Sequence, residues 1–291
     1  MIVEKPASAE PATSAYLDYA AATPLDPEVL EAMTPYLTGR FYNPSAPYAL
    51  ARNVRADVEA ARATVARCIG ARPGNVTFTA GATEANNLAF AATEGHVVTD
   101  AIEHDSVLAC AEARPHAIVG VGPDGRVDPE DVLSAVTPAT QLVSVSLANG
   151  EIGCVQPVRE LARMMAGLRE KRLAAGDLTP LYLHVDASQA TSCLTVDVGS
   201  LGCDLLTLSA AKIGGPKQVG LLWASDDVVL RPLVLGGGQE GGLVHQVLQI
   251  GAGETAGALG QLRQGHVVPQ GLVAGMDLQD GLPALDVGVS H

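Results

Sequence analysis

Short runs of β-branched and aliphatic residues alternate along the chain with longer stretches in which apolar side chains recur every three or four positions. The runs Val76–Thr79, Val97–Thr99, Ala117–Val119, Leu142–Leu147, Leu181–Asp186, Leu205–Leu208 and Val219–Ala224 predict strands. From Ala49 to about Ile69, Val54, Val58, Ala61, Val65 and Ile69 fall on one helical face, and Gly70 follows as a stop. From Val158 to Ala174 the chain reads as an amphipathic helix, with Leu161, Met164, Met165, Leu168 and Leu173 apolar and Arg159, Glu160, Arg169, Glu170 and Lys171 polar. Asp26-Pro27-Glu28 and Pro129-Glu130-Asp131 read as helix starts, with proline at the first helical position. Strand alternating with helix predicts βαβ units, hence an α/β protein with a mostly parallel sheet flanked by helices.

Composition narrows the function classes. A chain of 291 residues, 47% hydrophobic and 17% charged, can bury a substantial core. Its formal net charge of −14 argues against a nucleic-acid or anionic-membrane footprint. No apolar run is long enough to span a bilayer. The start, MIVEKPASAEPATSA, lacks a basic segment followed by an apolar core; residues 1–15 read as a flexible lead-in and the expected location is cytoplasmic. The five cysteines lie singly, so neither a metal site nor a disulfide framework is expected.

The candidate chemistry clusters at strand ends. Lys212 follows an apolar strand and sits among small residues in LSAAKIGGPK. A desolvated lysine loses basicity and becomes a nucleophile that condenses with aldehydes; the same lysine is also compatible with a solvated turn. Asp186 ends another apolar strand, where a carboxylate is costly to bury without a cationic partner such as a pyridinium N–H. Ala80-Gly81-Ala82-Thr83 joins a strand to a helix start, an anion site in principle. His104 either caps a helix or faces a ligand, and Asn149 either caps a turn or hydrogen-bonds one. Lysine, phosphate loop and carboxylate are what an aldehyde cofactor with a phosphate and a pyridine ring requires.

The stretches YLDYAAATPLDPEV, FYNPS, VTFTAGATEANNLA, IEHDSVL, VSVSLANGEIG, LHVDASQA, LTLSAAKIGGPKQVGLLW and LGGGQEGG resemble, in order and spacing, the cysteine desulfurases of the class V aminotransferase group. These are fold-type I pyridoxal-phosphate enzymes. The resemblance implies a cofactor-binding large domain over residues 16–242 and pyridoxal 5'-phosphate as cofactor. It implies Lys212 as the Schiff-base lysine, Asp186 on the ring nitrogen, Gln189 on the ring's phenolic oxygen and His104 stacked on the ring and assisting proton transfer. It further implies Ala82, Thr83 and Ser209 as phosphate ligands, and Asn149 near the ring oxygen and substrate. The implied reaction converts L-cysteine to alanine and passes the sulfur, as a persulfide, to an acceptor for iron–sulfur cluster assembly or thiolation. A homodimer and a sulfur-acceptor protein are the implied partners.

The sequence also departs from that pattern. Ala211 stands where the family has a histidine before the lysine, and NPSAPYALA lacks the histidine common after asparagine-proline. From Leu243 the text carries one arginine and no lysine, cysteine or aromatic residue. The expectation for 243–291 is therefore a divergent or disordered tail, with the family's small C-terminal domain and its cysteine loop largely missing. Cys154 comes nearest to the nucleophile in motif terms, whereas Cys68, Cys110, Cys193 and Cys203 read as structural. The alternatives are a catalytically impaired cofactor-binding homologue, or another class V lyase or aminotransferase.

Overall fold

The structure, a computed structural model, describes residues 15–243. The lead-in before residue 15 and the tail after Leu243 lie outside the described residues.

Seven strands form one sheet: β1 (Val76–Thr79), β2 (His96–Asp100), β3 (His116–Val119), β4 (Thr140–Ser146), β5 (Tyr182–Asp186), β6 (Leu205–Ser209) and β7 (Gly220–Ala224). Their spatial order is β1-β7-β6-β5-β4-β2-β3. The run β6-β5-β4-β2-β3 is parallel throughout, and β7 is antiparallel to both of its neighbours. The carboxyl ends of six strands and the start of β7 therefore share one sheet edge.

The helices are α1 (Pro27–Thr38), α2 (Ala49–Cys68), α3 (Ala82–Ala91), α4 (Asp105–Glu112), α5 (Pro129–Ser134), α6 (Val158–Ala174) and the single turn α7 (Val198–Leu201). Asp26 and Asp128 cap α1 and α5 by accepting from Glu28 N–H and Glu130 N–H, with proline at the next position in each case. The α2 face carrying Val54, Val58, Ala61 and Val65 is buried, as its periodicity predicts.

Strands β6 and β7 are buried at every position, and β4 at all but one. That explains why they read as continuous apolar runs rather than alternating ones. Phe78, Phe90, Leu142, Leu183, Leu205 and Leu222 anchor one contiguous core. At the outer edge β3 alternates exposed His116 and Ile118 with half-buried partners. Mid-sheet, buried His184 joins three strands through Ser144 Oγ at 2.8 Å and Thr207 Oγ1 at 3.0 Å. Burial lowers its pKa to about 4, so the imidazole is neutral.

The other outer strand, β1, is closed by a side chain from far along the chain. Glu240 accepts a hydrogen bond from Phe78 N–H at 3.0 Å and pairs bidentately with Arg62 at 2.6 and 2.7 Å. Arg62 lies over the Phe78 ring, 4.7 Å from its centroid, and donates to the Val76 carbonyl. Edge strands expose unpaired N–H groups, and this clasp satisfies one with a carboxylate. Glu240 adopts φ 47°, an uncommon backbone for a non-glycine residue.

Candidate active site

The shared sheet edge is where ligands collect in open α/β sheets, and the structure brings the sequence candidates to it. Lys212 leaves β6 in a short 3-10 turn (Ala210–Lys212). Its ammonium donates to the carbonyls of Ala20 and Ala21, both at 2.7 Å. Burial depresses the amine's pKa, Lys217 adds to the lowering, and Asp18 and Asp186 oppose it. The result is an amine easier to deprotonate than a solvated lysine.

The segment ahead of α1 is bound across this turn. Thr23 N–H and Oγ1 both donate to the Ala211 carbonyl at 3.0 Å, Asp26 N–H donates to the Gly214 carbonyl, and Thr23 Oγ1 accepts from Gly214 N–H. The Gln189 amide donates to the Ala20 carbonyl at 3.0 Å. Lys212, Gln189 and the N-terminal segment thus converge on one carbonyl, a contact that no local sequence signal announces.

Asp186 is buried at the end of β5. Its Oδ1 accepts from Ser188 N–H at 2.9 Å, and its Oδ2 accepts from the Asn86 amide at 2.8 Å. Two further acids lie nearby. Asp100 is pushed up to about 6, mainly by burial. Glu103 is pushed well above the ordinary carboxylate range, first by burial and then by the charges of Asp100 and Asp186. Both Glu103 carboxyl oxygens and Asp100 Oδ2 lack a hydrogen-bond partner among the described residues.

Thr83 is exposed in the first turn of α3, beside Ala82, where backbone N–H groups have no intrahelical acceptor. Gly81 precedes the helix at φ 140°, a conformation that favours glycine. Gly220, at the start of β7, lies against it: a Cβ there would come within 2.5 Å of the Gly81 carbonyl carbon. The same Gly220 pairs with Thr79 and Ser209, so the α3 start and the end of β6 are held side by side. An N-terminal helix turn and a serine hydroxyl at one edge form a donor set suited to phosphate.

His104 and Asn149 both serve their local structural roles. His104 is exposed and caps α4, its Nδ1 accepting from Ser106 N–H at 3.0 Å. The Asn149 side chain donates to the Ile102 carbonyl and accepts from Glu151 and Ile152 N–H, closing the turn after β4. Three buried residues that sequence reasoning did not single out complete the surroundings: Asn86, Glu103 and Ser106.

Of the cysteines, Cys154 lies beside this group, its carbonyl accepting from Asn149 N–H at 3.0 Å. Cys203 is buried and its thiol pushed up to about 12, chiefly by burial. Burial also raises Cys154 and Cys110. Such thiols are poor nucleophiles, because the thiolate is the reactive form. No group of histidine, cysteine and acidic residues able to hold a metal occurs among the described residues. No helix there is long and apolar enough to cross a membrane.

Comparison with known proteins gives a consistent picture. The aminotransferase class V profile matches residues 15–253. Human selenocysteine lyase is 36% identical over 264 residues, spanning 79% of this chain and 59% of the relative. Cysteine desulfurase IscS 1 of Archaeoglobus fulgidus is 40% identical over 240 residues, spanning 78% of this chain and 60% of the relative. The chain thus spans about three fifths of these relatives' length. Among solved structures, SspA in complex with cysteine superposes with TM-score 0.78 at 32% identity, covering 85% of this chain and 72% of that one. A NifS-like protein superposes with TM-score 0.76 at 30% identity, covering 86% and 69%. With its mostly parallel sheet, its lysine turn and this match, the chain belongs to the class V aminotransferases, a pyridoxal-phosphate-dependent family.

Proposed function

We propose that this chain carries the cofactor-binding part of a cysteine desulfurase, which takes sulfur from L-cysteine and leaves alanine. The observation carrying this reading is the meeting of a desolvated Lys212, a buried and doubly hydrogen-bonded Asp186, and the glycine-backed α3 start at one sheet edge. Likeness to A. fulgidus cysteine desulfurase and to a structure holding cysteine supports the substrate.

Pyridoxal phosphate, when bound, supplies an aldehyde for amines and a ring that withdraws electrons from the attached carbon. Lys212 is the amine that would hold the aldehyde, and burial makes its neutral, nucleophilic form easier to reach. Asp186 would hold a proton on the ring nitrogen, with Ser188 N–H and Asn86 keeping its two oxygens in place. Ala82, Thr83 and Ser209 would take the phosphate. Gln189 would reach the ring's phenolic oxygen once its amide leaves the Ala20 carbonyl. His104 would cover the ring face. Asn149 would border the substrate through the turn it closes.

Burial raises the thiols of Cys110, Cys154 and Cys203, which disfavours them as the sulfur acceptor, and a sulfur-acceptor protein is a proposed partner. A homodimer is the proposed assembly. A second reading, selenocysteine as substrate, is favoured by the likeness to human selenocysteine lyase.

The test is to load the full chain with pyridoxal phosphate and supply cysteine or selenocysteine with an excess small thiol. Alanine with sulfide supports the first reading, and alanine with selenide alone supports the second. Cofactor absorbance with neither product would overturn both and leave a binding homologue.

A further inference from the structure

Asn86 lies fully buried on α3, and its side-chain nitrogen makes two bonds. It donates to Asp186 Oδ2 at 2.8 Å and to Ser106 Oγ at 2.9 Å. Ser106 Oγ is in turn 2.8 Å from His104 Nδ1, which also accepts from Ser106 N–H at 3.0 Å. A carboxylate without a proton only accepts, so the amide nitrogen and not its oxygen must face Asp186. Both of its hydrogens are then committed, one to Asp186 and one to Ser106.

Chemistry fixes the rest of the chain. Ser106 Oγ accepts from Asn86, which leaves its own hydrogen free to donate to His104 Nδ1. The backbone N–H of Ser106 can only donate. Nδ1 therefore receives two donors and carries no hydrogen, and the neutral ring's hydrogen is on Nε2.

We infer that Asn86 and Ser106 are positioning residues that orient the Asp186 carboxylate and lock His104 in its Nε2–H form. The inference rests on the cofactor reading above for what Asp186 and His104 would face, but not for the tautomer. In this form His104 offers a hydrogen at Nε2 and has no lone pair free there. Its Nδ1 lone pair is already engaged. His104 is thus a hydrogen-bond donor and a flat covering surface in the resting protein. This sharpens the expectation for His104: the ring nitrogen left free by Ser106 is Nε2, and it presents a hydrogen-bond donor.

The test uses the full chain without cofactor, with ¹⁵N-labelled histidine and long-range ¹H–¹⁵N correlation at neutral pH. His104 signals are assigned by their loss in His104→Gln. The expected pattern is Nε2–H; an Nδ1–H or doubly protonated ring overturns the inference. In Ser106→Ala one donor to Nδ1 is gone, and the pattern moves toward a mixture of tautomers; an unchanged pattern refutes the role of the hydroxyl.

A second arm titrates pyridoxal phosphate into each cofactor-free variant. Asn86→Ala weakens affinity about tenfold, the worth of one hydrogen bond to a charged group. Ser106→Ala, which keeps the Asn86–Asp186 bond, loses less affinity than Asn86→Ala. Equal affinity of Asn86→Ala and the parent removes the Asp186 part. If the parent itself binds no cofactor, the functional reading fails while the tautomer result stands. If Asn86→Ala does not fold, Ser106→Ala and the parent spectrum still decide.

Discussion

Lys212 Nζ stands 2.7 Å from the Ala20 carbonyl oxygen, and the Gln189 amide reaches the same oxygen at 3.0 Å. The carbonyls of Ala20 and Ala21 stabilise the charged form of the amine, while its surroundings disfavour that form. Attack on an aldehyde needs the neutral amine. Lys212→Ala is expected to abolish covalent retention of pyridoxal phosphate. Borohydride reduction followed by peptide mass analysis should place the adduct on the Lys212 peptide of the parent and nowhere in the variant. An adduct on another lysine would refute the assignment.

Gly220 backs the turn at Gly81 so closely that any side chain must push the α3 start outward. Gly220→Ala is expected to cost about 2 kcal/mol in urea unfolding, as overpacking against backbone does. It should weaken binding of pyridoxal phosphate more than binding of pyridoxal, which lacks the phosphate. Equal losses for the two ligands would show that the α3 start does not hold the phosphate.

Glu103 and Asp100 impose a pH dependence. Both have folded-state pKa values raised above the unfolded ones, so the folded protein holds protons that the unfolded chain releases. Stability therefore falls as pH rises: through the window from about 4 to about 6 for Asp100, and from about 4.3 upward for Glu103. Glu103→Gln removes the larger of these penalties. Its Tm should match the parent near pH 4 and exceed it by about 3 °C or more at pH 8. A Tm difference that does not vary with pH would mean that Glu103 is not protonated in the folded state.

Arg62 and Glu240 form a buried pair whose members also hold β1. Glu240→Ala leaves the guanidinium paired only with the more exposed Glu59 and is expected to cost about 2 kcal/mol, the worth of a charge-assisted hydrogen bond. Glu240→Gln keeps an acceptor for Phe78 N–H and should cost less. Chemical denaturation of the two variants distinguishes the loss of charge from the loss of the strand's hydrogen bond.

Local patterns made much of this molecule legible. Mid-sheet runs such as Leu142–Ser146 stand out because strands buried on both faces carry apolar residues in close succession. Thr83, Asp186, Ser209 and Lys212 could be picked out because each follows or ends such a run. The partners of these groups were not legible. Asn86 meets Asp186 across 100 residues and Lys212 meets Ala20 across 192, and no local periodicity encodes such pairings. His104 and Asn149 carried two meanings in sequence, and the structure shows the capping one in each.

The place of β1 has a consequence for synthesis on the ribosome. Its only ladder partner among the described residues is β7, so Val76 waits for Trp223, and its outer N–H at Phe78 waits for Glu240, 162 residues further on. While the chain emerges from its amino end, β2, β4, β5 and β6 can assemble in turn. The first strand to be made is thus the last to be seated. Until then the hydrophobic residues Val76 and Phe78 remain open to chaperones or to other nascent chains, and a delay in translating the segment between β6 and Glu240 would lengthen that exposure.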